Sequence, residues 1–323
     1  MIHAGIVGLG RWGQVLVKSV QNKSKLISFK KACTGQKSKA LNFCNENAIK
    51  LQDTLSDLLI DETLDAIILA TPHQQHRDQI IAVANAGKHV FVEKPFTLSK
   101  KDAEIALACC KKTNVICAIG HNRRFLPSME ELKKYIMSGD LGNILHVEAQ
   151  FHSDGGLRYT PDNWRASENE SPAGGMTGLG IHTIDALISL LGPISSLRAH
   201  SARQVIKVPI DDTTFYTLKF AKGFTGYVST CFATSRDWRI QVLGDKGWAE
   251  MRGHEKLTIA LRNKEEKIIQ YDFHDIERAE LEAFANAILE GSTYPIPYVD
   301  IIHATAILEA VVTSAKLNRQ VKL

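Results

Sequence analysis

Through the first 120 residues, short strand-length blocks alternate with stretches whose apolar positions recur at helical intervals. The blocks are Ala4 to Val7, Ile27 to Cys33, Asp65 to Ala70, His89 to Val92 and Val115 to Ile119. Between the first two, Trp12, Val15, Leu16 and Val20 fall on one helical face. Further helices are predicted from about Ala40 to Glu46, near Ser56, and from Gln74 to Asn85, where Gly87 stops the run. Another begins at Ser99, with Asp102 three residues on in capping-box spacing, and reaches about Lys112. Strand and helix alternating over short connections predict a parallel sheet covered on both faces.

Beyond Gly120 the pattern changes. A helix from Pro127 to about Met137, with proline in its first turn, precedes a strand from Ile144 to Phe151. A polar loop from His152 to Ala173 follows, long enough to act as a lid. The apolar run Met176 to Leu191 predicts a helix, stopped by Gly192-Pro193. Strand-like runs then come in series: Thr213 to Phe220, Thr225 to Thr230, Arg239 to Leu243, Trp248 to Met251 and Leu257 to Leu261, joined by turns such as Lys222-Gly223 and Gly244-Asp245. Such a series implies a mostly antiparallel sheet, completed by helices over about Arg278 to Glu290 and Val299 to Asn318. The chain of 323 residues exceeds the size at which one core stays single. The expectation is therefore an α/β protein of two domains, 1–122 with a dinucleotide-binding (Rossmann) fold and 123–323 with an α+β fold built on an open, mostly antiparallel sheet.

The chemistry begins where the first strand ends. Gly8-Leu9-Gly10-Arg11-Trp12-Gly13 places three glycines between a strand and an amphipathic helix. Gly8 permits a tight turn, Gly10 lets the backbone approach a pyrophosphate, and Gly13 lets the helix pack closely. Free N–H groups at the helix start hold the anion. An acid that binds adenosine ribose hydroxyls is expected about 20 residues after the glycines in NAD-specific folds. The second strand here runs instead into Thr34-Gly35-Gln36-Lys37-Ser38-Lys39. Thr34, Lys37 and Ser38 suit a 2′-phosphate, which predicts NADP as the preferred cofactor over NAD. The third block ends in Thr71-Pro72-His73 with His76 one turn on, and the fourth in Glu93-Lys94-Pro95. Ends of parallel strands are where ligands bind in open α/β sheets, which puts all of these beside the cofactor crevice.

Composition narrows the partners. Charged residues make up 23% and hydrophobic residues 44%, as in a folded globular enzyme. The net charge of +4 is spread along the chain, too diffuse for nucleic acid. No apolar run is read as the roughly 18 to 20 residues of a membrane span, and no signal peptide is read at the N-terminus. The expected setting is cytoplasmic. The six cysteines, at 33, 44, 109, 110, 117 and 231, show no metal-ligand spacing, so reduced thiols and no metal are expected.

Taken together, GLGRWG, ATPH, EKP, GHNRRF and GGMTGLGIHTID occur in an order and at separations that resemble the Gfo/Idh/MocA oxidoreductases over essentially the whole chain. The resemblance implies NAD(P)-dependent oxidation or reduction of a sugar, polyol or related hydroxy compound, with the substrate bound between the domains. It also implies a homodimer or homotetramer assembled through the C-terminal sheet. Lys94 matches the EKP lysine, which contacts cofactor and substrate and takes part in proton transfer. His182 matches an acid/base histidine, and Asp185 is positioned to orient it. The chain departs from the family at Gly178, where an aspartate one turn before the histidine is expected. Gly178, His182 and Asp185 would share one helical face, and the missing carboxylate leaves room for a bulkier or acidic substrate. Asn122, Arg123, Arg124, Arg158, Trp164 and Arg165 supply amide, guanidinium and aromatic groups for that substrate. Two rival readings share the fold: an NAD-dependent glycosidase or lyase, and a dinucleotide-binding regulator without catalysis.

Overall fold

A computed structural model describes residues 1–323. The chain divides into one unit of Met1–Asn122 with Asp275–Ile302 and a second of Arg123–His274 with His303–Leu323.

The first unit opens with β1 (Ile2–Val7), α1 (Arg11–Val20), β2 (Ile27–Cys33), α2 (Lys37–Glu46), β3 (Lys50–Gln52) and α3 (Leu55–Leu59). It continues through β4 (Ala66–Leu69), α4 (His76–Asn85), β5 (His89–Val92), α5 (Lys100–Lys112) and β6 (Cys117–Ile119). The six strands are parallel, in the order β3-β2-β1-β4-β5-β6. Every residue of β4 is buried, because helices cover both faces of its neighbourhood. Local chemistry sets the helix starts: Thr54 and Asp57 cap α3 reciprocally, and Ser99 Oγ accepts the Asp102 N–H at 3.2 Å to start α5. The order reverses at β1, which has β2 on one side and β4 on the other. That reversal opens the crevice in which such sheets bind ligands.

The second unit holds α6 (Pro127–Met137), β7 (Ile144–His152), α7 (Ile181–Leu191), β8 (Ile194–Ala202), β9 (Thr213–Phe220), β10 (Thr225–Cys231), β11 (Asp237–Gly244), β12 (Gly247–Arg252), β13 (Lys256–Leu261) and β14 (Lys267–Gln270). The chain returns to the first unit for α8 (Ile276–Leu289), then forms α9 (Tyr298–Leu317) and β15 (Val321–Lys322). The nine-stranded sheet runs β14-β13-β12-β11-β7-β10-β9-β8-β15, with only β7 and β10 parallel. In β9 strict alternation buries Thr214, Tyr216, Leu218 and Phe220 and turns Phe215, Thr217 and Lys219 outward.

Several features differ from expectation. A boundary at 122 would put everything after it in the second domain, yet α8 packs in the first unit. Arg278 Nε donates to the Ser19 carbonyl at 2.9 Å, the Phe284 ring lies 5.8 Å from that of Phe91, and Tyr294 Oη donates to the Ile119 carbonyl at 2.8 Å. An apolar helix face carries no label for which core it joins. Strands β3, β8, β14 and β15 were not read: three are short, and in β8 Ser195, Arg198 and His200 interrupt the apolar residues. Finally, α9 is long and apolar enough to cross a membrane by length and composition, contrary to the expectation that no run reaches that length. It carries Asp300 and Glu309, and its Ile307, Leu308 and Val311 are fully buried.

Candidate active site

In the first unit, site residues stand at the carboxyl ends of the parallel strands. β1 runs into Gly8, which has φ +95° and whose missing Cβ would collide with the Ala70 carbonyl after β4. A Cβ on Gly13 would collide with the Gly8 carbonyl. The turn thus needs both glycines for its own packing. Gly10 differs, since an added Cβ meets nothing within 4 Å. Its backbone faces open space at the start of a ten-residue helix, with no side chain capping the first amides. Uncapped helix-terminal N–H groups behind an open glycine fit a dinucleotide pyrophosphate.

The neighbouring ends frame this turn. His76 is fully buried, with Nδ1 2.9 Å from the Pro95 carbonyl and Nε2 3.1 Å from the Thr71 carbonyl, so its ring braces the segments after β4 and β5. His73 stands edge-on to it at 5.9 Å, and Thr71 Oγ1 donates to Gln79 at 2.6 Å. After β2, Lys37 forms an ion pair with Asp53. No acid follows β2 in sequence; the one beside Lys37 arrives from a neighbouring strand. Asp53 directly follows β3, whose register pairs Cys33 with Gln52 and so brings the next residue alongside.

Glu93 and Lys94 follow β5. Lys94 is half-buried, and its peptide bond to Pro95 is cis. The pleat predicts that Glu93 faces away from Lys94, but its carboxyl folds back, and Oε2 accepts the Lys94 main-chain N–H at 3.2 Å. Burial pushes this carboxyl up to about 7. The nearby Lys94 charge, the Trp12 indole and the Lys94 amide favour ionisation only in part, and Glu277 opposes it. Glu277 accepts from Asn122 Nδ2 at 2.9 Å.

In the second unit, the segment following β6 supplies two arginines with distinct tasks. The Arg123 guanidinium lies over the rings of Phe151 (4.6 Å) and Trp238 (5.1 Å). Phe151 in turn lies 6.0 Å from the His182 ring. Arg124 grips Asp185 through Nε to both carboxylate oxygens at 3.0 Å and Nη2 to Oδ1 at 2.7 Å, with side-chain exposures of 7% and 3%. The carboxylate of Asp185, the residue expected to orient His182, accepts a two-pronged guanidinium. His182 is buried in the first turn of α7.

Ahead of α7 the helix is not α. Met176–Gly180 forms one π turn, the looser winding that often marks functional sites. A uniform α-helical face through Gly178, His182 and Asp185 is therefore modified at its first member. An added Cβ on Gly178 meets nothing within 4 Å, so space remains where a larger side chain would sit. The preceding loop is no loose strip. Ala166 packs with Ile206, Val208, Ile210 and Phe232 in a small core of its own, and Tyr159 meets Phe232 edge-on at 5.2 Å. Arg158 is exposed and pairs with Asp154, whereas Arg165 stacks on Trp164 at 4.0 Å.

Comparison with known proteins agrees with this architecture. Residues 2–121 match the model of the oxidoreductase family with an NAD-binding Rossmann fold, and residues 129–250 match the Gfo/Idh/MocA C-terminal domain. The chain is 30% identical to scyllo-inositol 2-dehydrogenase (NAD(+)) of Bacillus subtilis, across 95% of this chain and 91% of that protein. A solved structure from Desulfitobacterium hafniense, proposed to be an NADPH-dependent oxidoreductase, superposes with TM-score 0.92 at 26% identity, covering 99% of this chain and 97% of the other. Levoglucosan dehydrogenase with NADH and levoglucosan shares the fold at TM-score 0.91 and 19% identity, covering 99% of each chain.

Proposed function

The chain belongs to the Gfo/Idh/MocA oxidoreductases, and from this premise we propose a dehydrogenase or reductase acting on a hydroxyl or carbonyl carbon of a sugar, polyol or related hydroxy compound. The observation that carries it is Lys94, half-buried directly after β5 in the same unit as the open glycine turn. Relatives point to the substrate class, since inositol and levoglucosan are the compounds in their names.

Gly8, Gly10, Arg11, Trp12 and Gly13 would hold the pyrophosphate, and Thr71, Pro72, His73 and Glu93 would line the nicotinamide side. When bound, the cofactor supplies the acceptor or donor of hydride. The chain's own residues supply the proton path. Lys94 takes or gives the hydroxyl proton and orients the oxygen that bears it; neutral lysine is the base, and a low-dielectric cleft favours that form. His182 shares this work, imidazole being the side chain that ordinarily titrates near neutrality. Asp185 fixes α7 through Arg124. Asn122, Arg123, Trp164, Arg165 and, from the exposed loop, Arg158 select substrate, and the space at Gly178 admits a bulky or acidic one.

NADP is the preferred cofactor in this reading, held by Thr34, Lys37 and Ser38. Asp53 does not remove Lys37 from play, because an ion pair with exposures of 46% and 85% is weak and readily exchanged. A tenfold or greater preference for NAD in binding titrations, ~1.4 kcal/mol, would reject that choice. Assembly as a homodimer or homotetramer through the C-terminal sheet is supported by its outward rings, where Tyr227 contacts Phe215 at 5.9 Å and His146 at 6.0 Å. Light scattering in solution reads the subunit number.

A screen of sugars, polyols and hydroxy acids with each cofactor tests the activity through net change in nicotinamide absorbance. Lys94→Ala and His182→Ala are each expected to lower turnover by about 10²–10⁴-fold. Intact turnover in both variants sinks the mechanism. Product formation without net absorbance change identifies the glycosidase or lyase reading, and tight cofactor binding with no turnover identifies the regulator.

A further inference from the structure

Glu93 lies at the root of Lys94 without a matched counter-charge. Oε2 accepts only a main-chain N–H, and Oε1 is shut off from solvent without a hydrogen-bond donor in range. The Trp12 indole N–H is close enough to favour the carboxylate but does not close a good hydrogen bond. Room for the carboxyl exists because residue 120 is glycine, where a Cβ would lie 2.9 Å from Oε1. The charged groups facing it are Lys94 beside it and Glu277 from α8; Trp12 from α1 adds a dipole, and Gly120 after β6 adds nothing.

Glu93 and Lys94 are adjacent, and the lysine charge acts on the buried carboxyl; a carboxylate and an ammonium that feel each other titrate as a pair, and each sets the other's proton affinity. With Lys94 acting in proton transfer as above, we propose that Glu93 is a positioning residue: its buried carboxyl, held against the Lys94 main chain, sets the proton affinity of Lys94. When Glu93 is ionised, Lys94 holds its proton more tightly. When Glu93 is protonated, the lysine releases its proton more readily.

The test is the pH dependence of kcat/KM for wild type and Glu93→Gln, which keeps the shape and an acceptor oxygen but removes the charge. The limb reporting Lys94 deprotonation is expected to move down by about one pH unit. Loss of rate or of cofactor affinity with the limb unmoved overturns the proposal, because a packing or cofactor-contact role does not move a pKa. Infrared difference spectra of the wild type across neutral pH give a second reading that needs no variant to fold. A carboxyl signal that changes in step with the activity limb reporting Lys94 is expected, and carboxyl signals that do not respond as Lys94 titrates overturn it. If Lys94→Ala keeps full turnover with a wild-type pH profile, the role of Lys94 itself has failed. A moved limb in Glu93→Gln alongside an inactive Lys94→Ala supports both.

Discussion

At the end of β5 a buried carboxyl accepts only the main-chain N–H of the lysine that follows it, and in the first turns of α7 another meets a planar guanidinium. Asp185 receives three hydrogen bonds from Arg124, with both partners nearly inaccessible. Glu93 receives one main-chain N–H and sits near an acid, Glu277. The first arrangement offsets the cost of burying charge by fitting a fork to a fork. The second leaves much of that cost standing, so the proton stays within reach at neutral pH. A matched ion pair builds a scaffold; a poorly matched one keeps a group able to change charge.

The largest expected effect falls on the matched pair. Asp185→Ala leaves the Arg124 guanidinium buried without its carboxylate and should destabilise the second unit by about 3–5 kcal/mol in denaturant titrations. The double change Arg124→Met with Asp185→Leu should recover most of that loss, because two apolar side chains need no counter-charge. No recovery would mean that the pair also has a directional role toward His182.

The poorly matched carboxyl gives a smaller effect of opposite sign. Glu93 has a folded-state value of about 7 against an ordinary 4.5, so between those values the folded chain holds a proton that the unfolded chain has released. Its contribution to stability therefore falls as pH rises through that window and stays lost above it. Glu93→Gln should melt higher than wild type above the window, with the difference shrinking in acid. A difference independent of pH would show that ionisation is not the cause.

Gly178→Asp returns a carboxylate to a place where a side chain has room. It should raise KM for an acidic substrate several-fold while sparing a neutral polyol, since like charges repel across a partly desolvated site. Improved turnover of the acidic substrate would remove the space at Gly178 from the specificity argument. The smallest effect belongs to Asp53→Ala, which frees Lys37 from an exposed pair worth at most about 1 kcal/mol. NADP should bind up to a few-fold more tightly, with NAD unchanged.

Some of this was legible residue by residue. The glycine turn, EKP and the run of residues leading into His182 lie in short contiguous motifs, where local backbone demands leave their mark on residue type, although the π winding of Met176–Gly180 within the expected helix was not among what they showed. The capping at Ser99 and the alternation in β9 were legible for the same reason. Asp53 beside Lys37, Arg124 on Asp185 and Glu93 beneath Lys94 were not, for each depends on how separate segments register or on a rotamer chosen by packing. Neither was the return of α8 to the first unit.

What the sequence determined by itself was the inventory and its local geometry: alternating strands and helices, a turn only glycine can make, a lysine after a buried strand, and a glycine where a carboxylate was expected. Tertiary structure alone decided which charges are matched. Proton affinity depends on burial and on neighbours brought from distant segments, and neither is encoded at the position that titrates. Lys94 was therefore visible as a candidate from its motif, whereas the buried carboxyl that governs it became visible only once Gly120, Trp12 and Glu277 had closed around it.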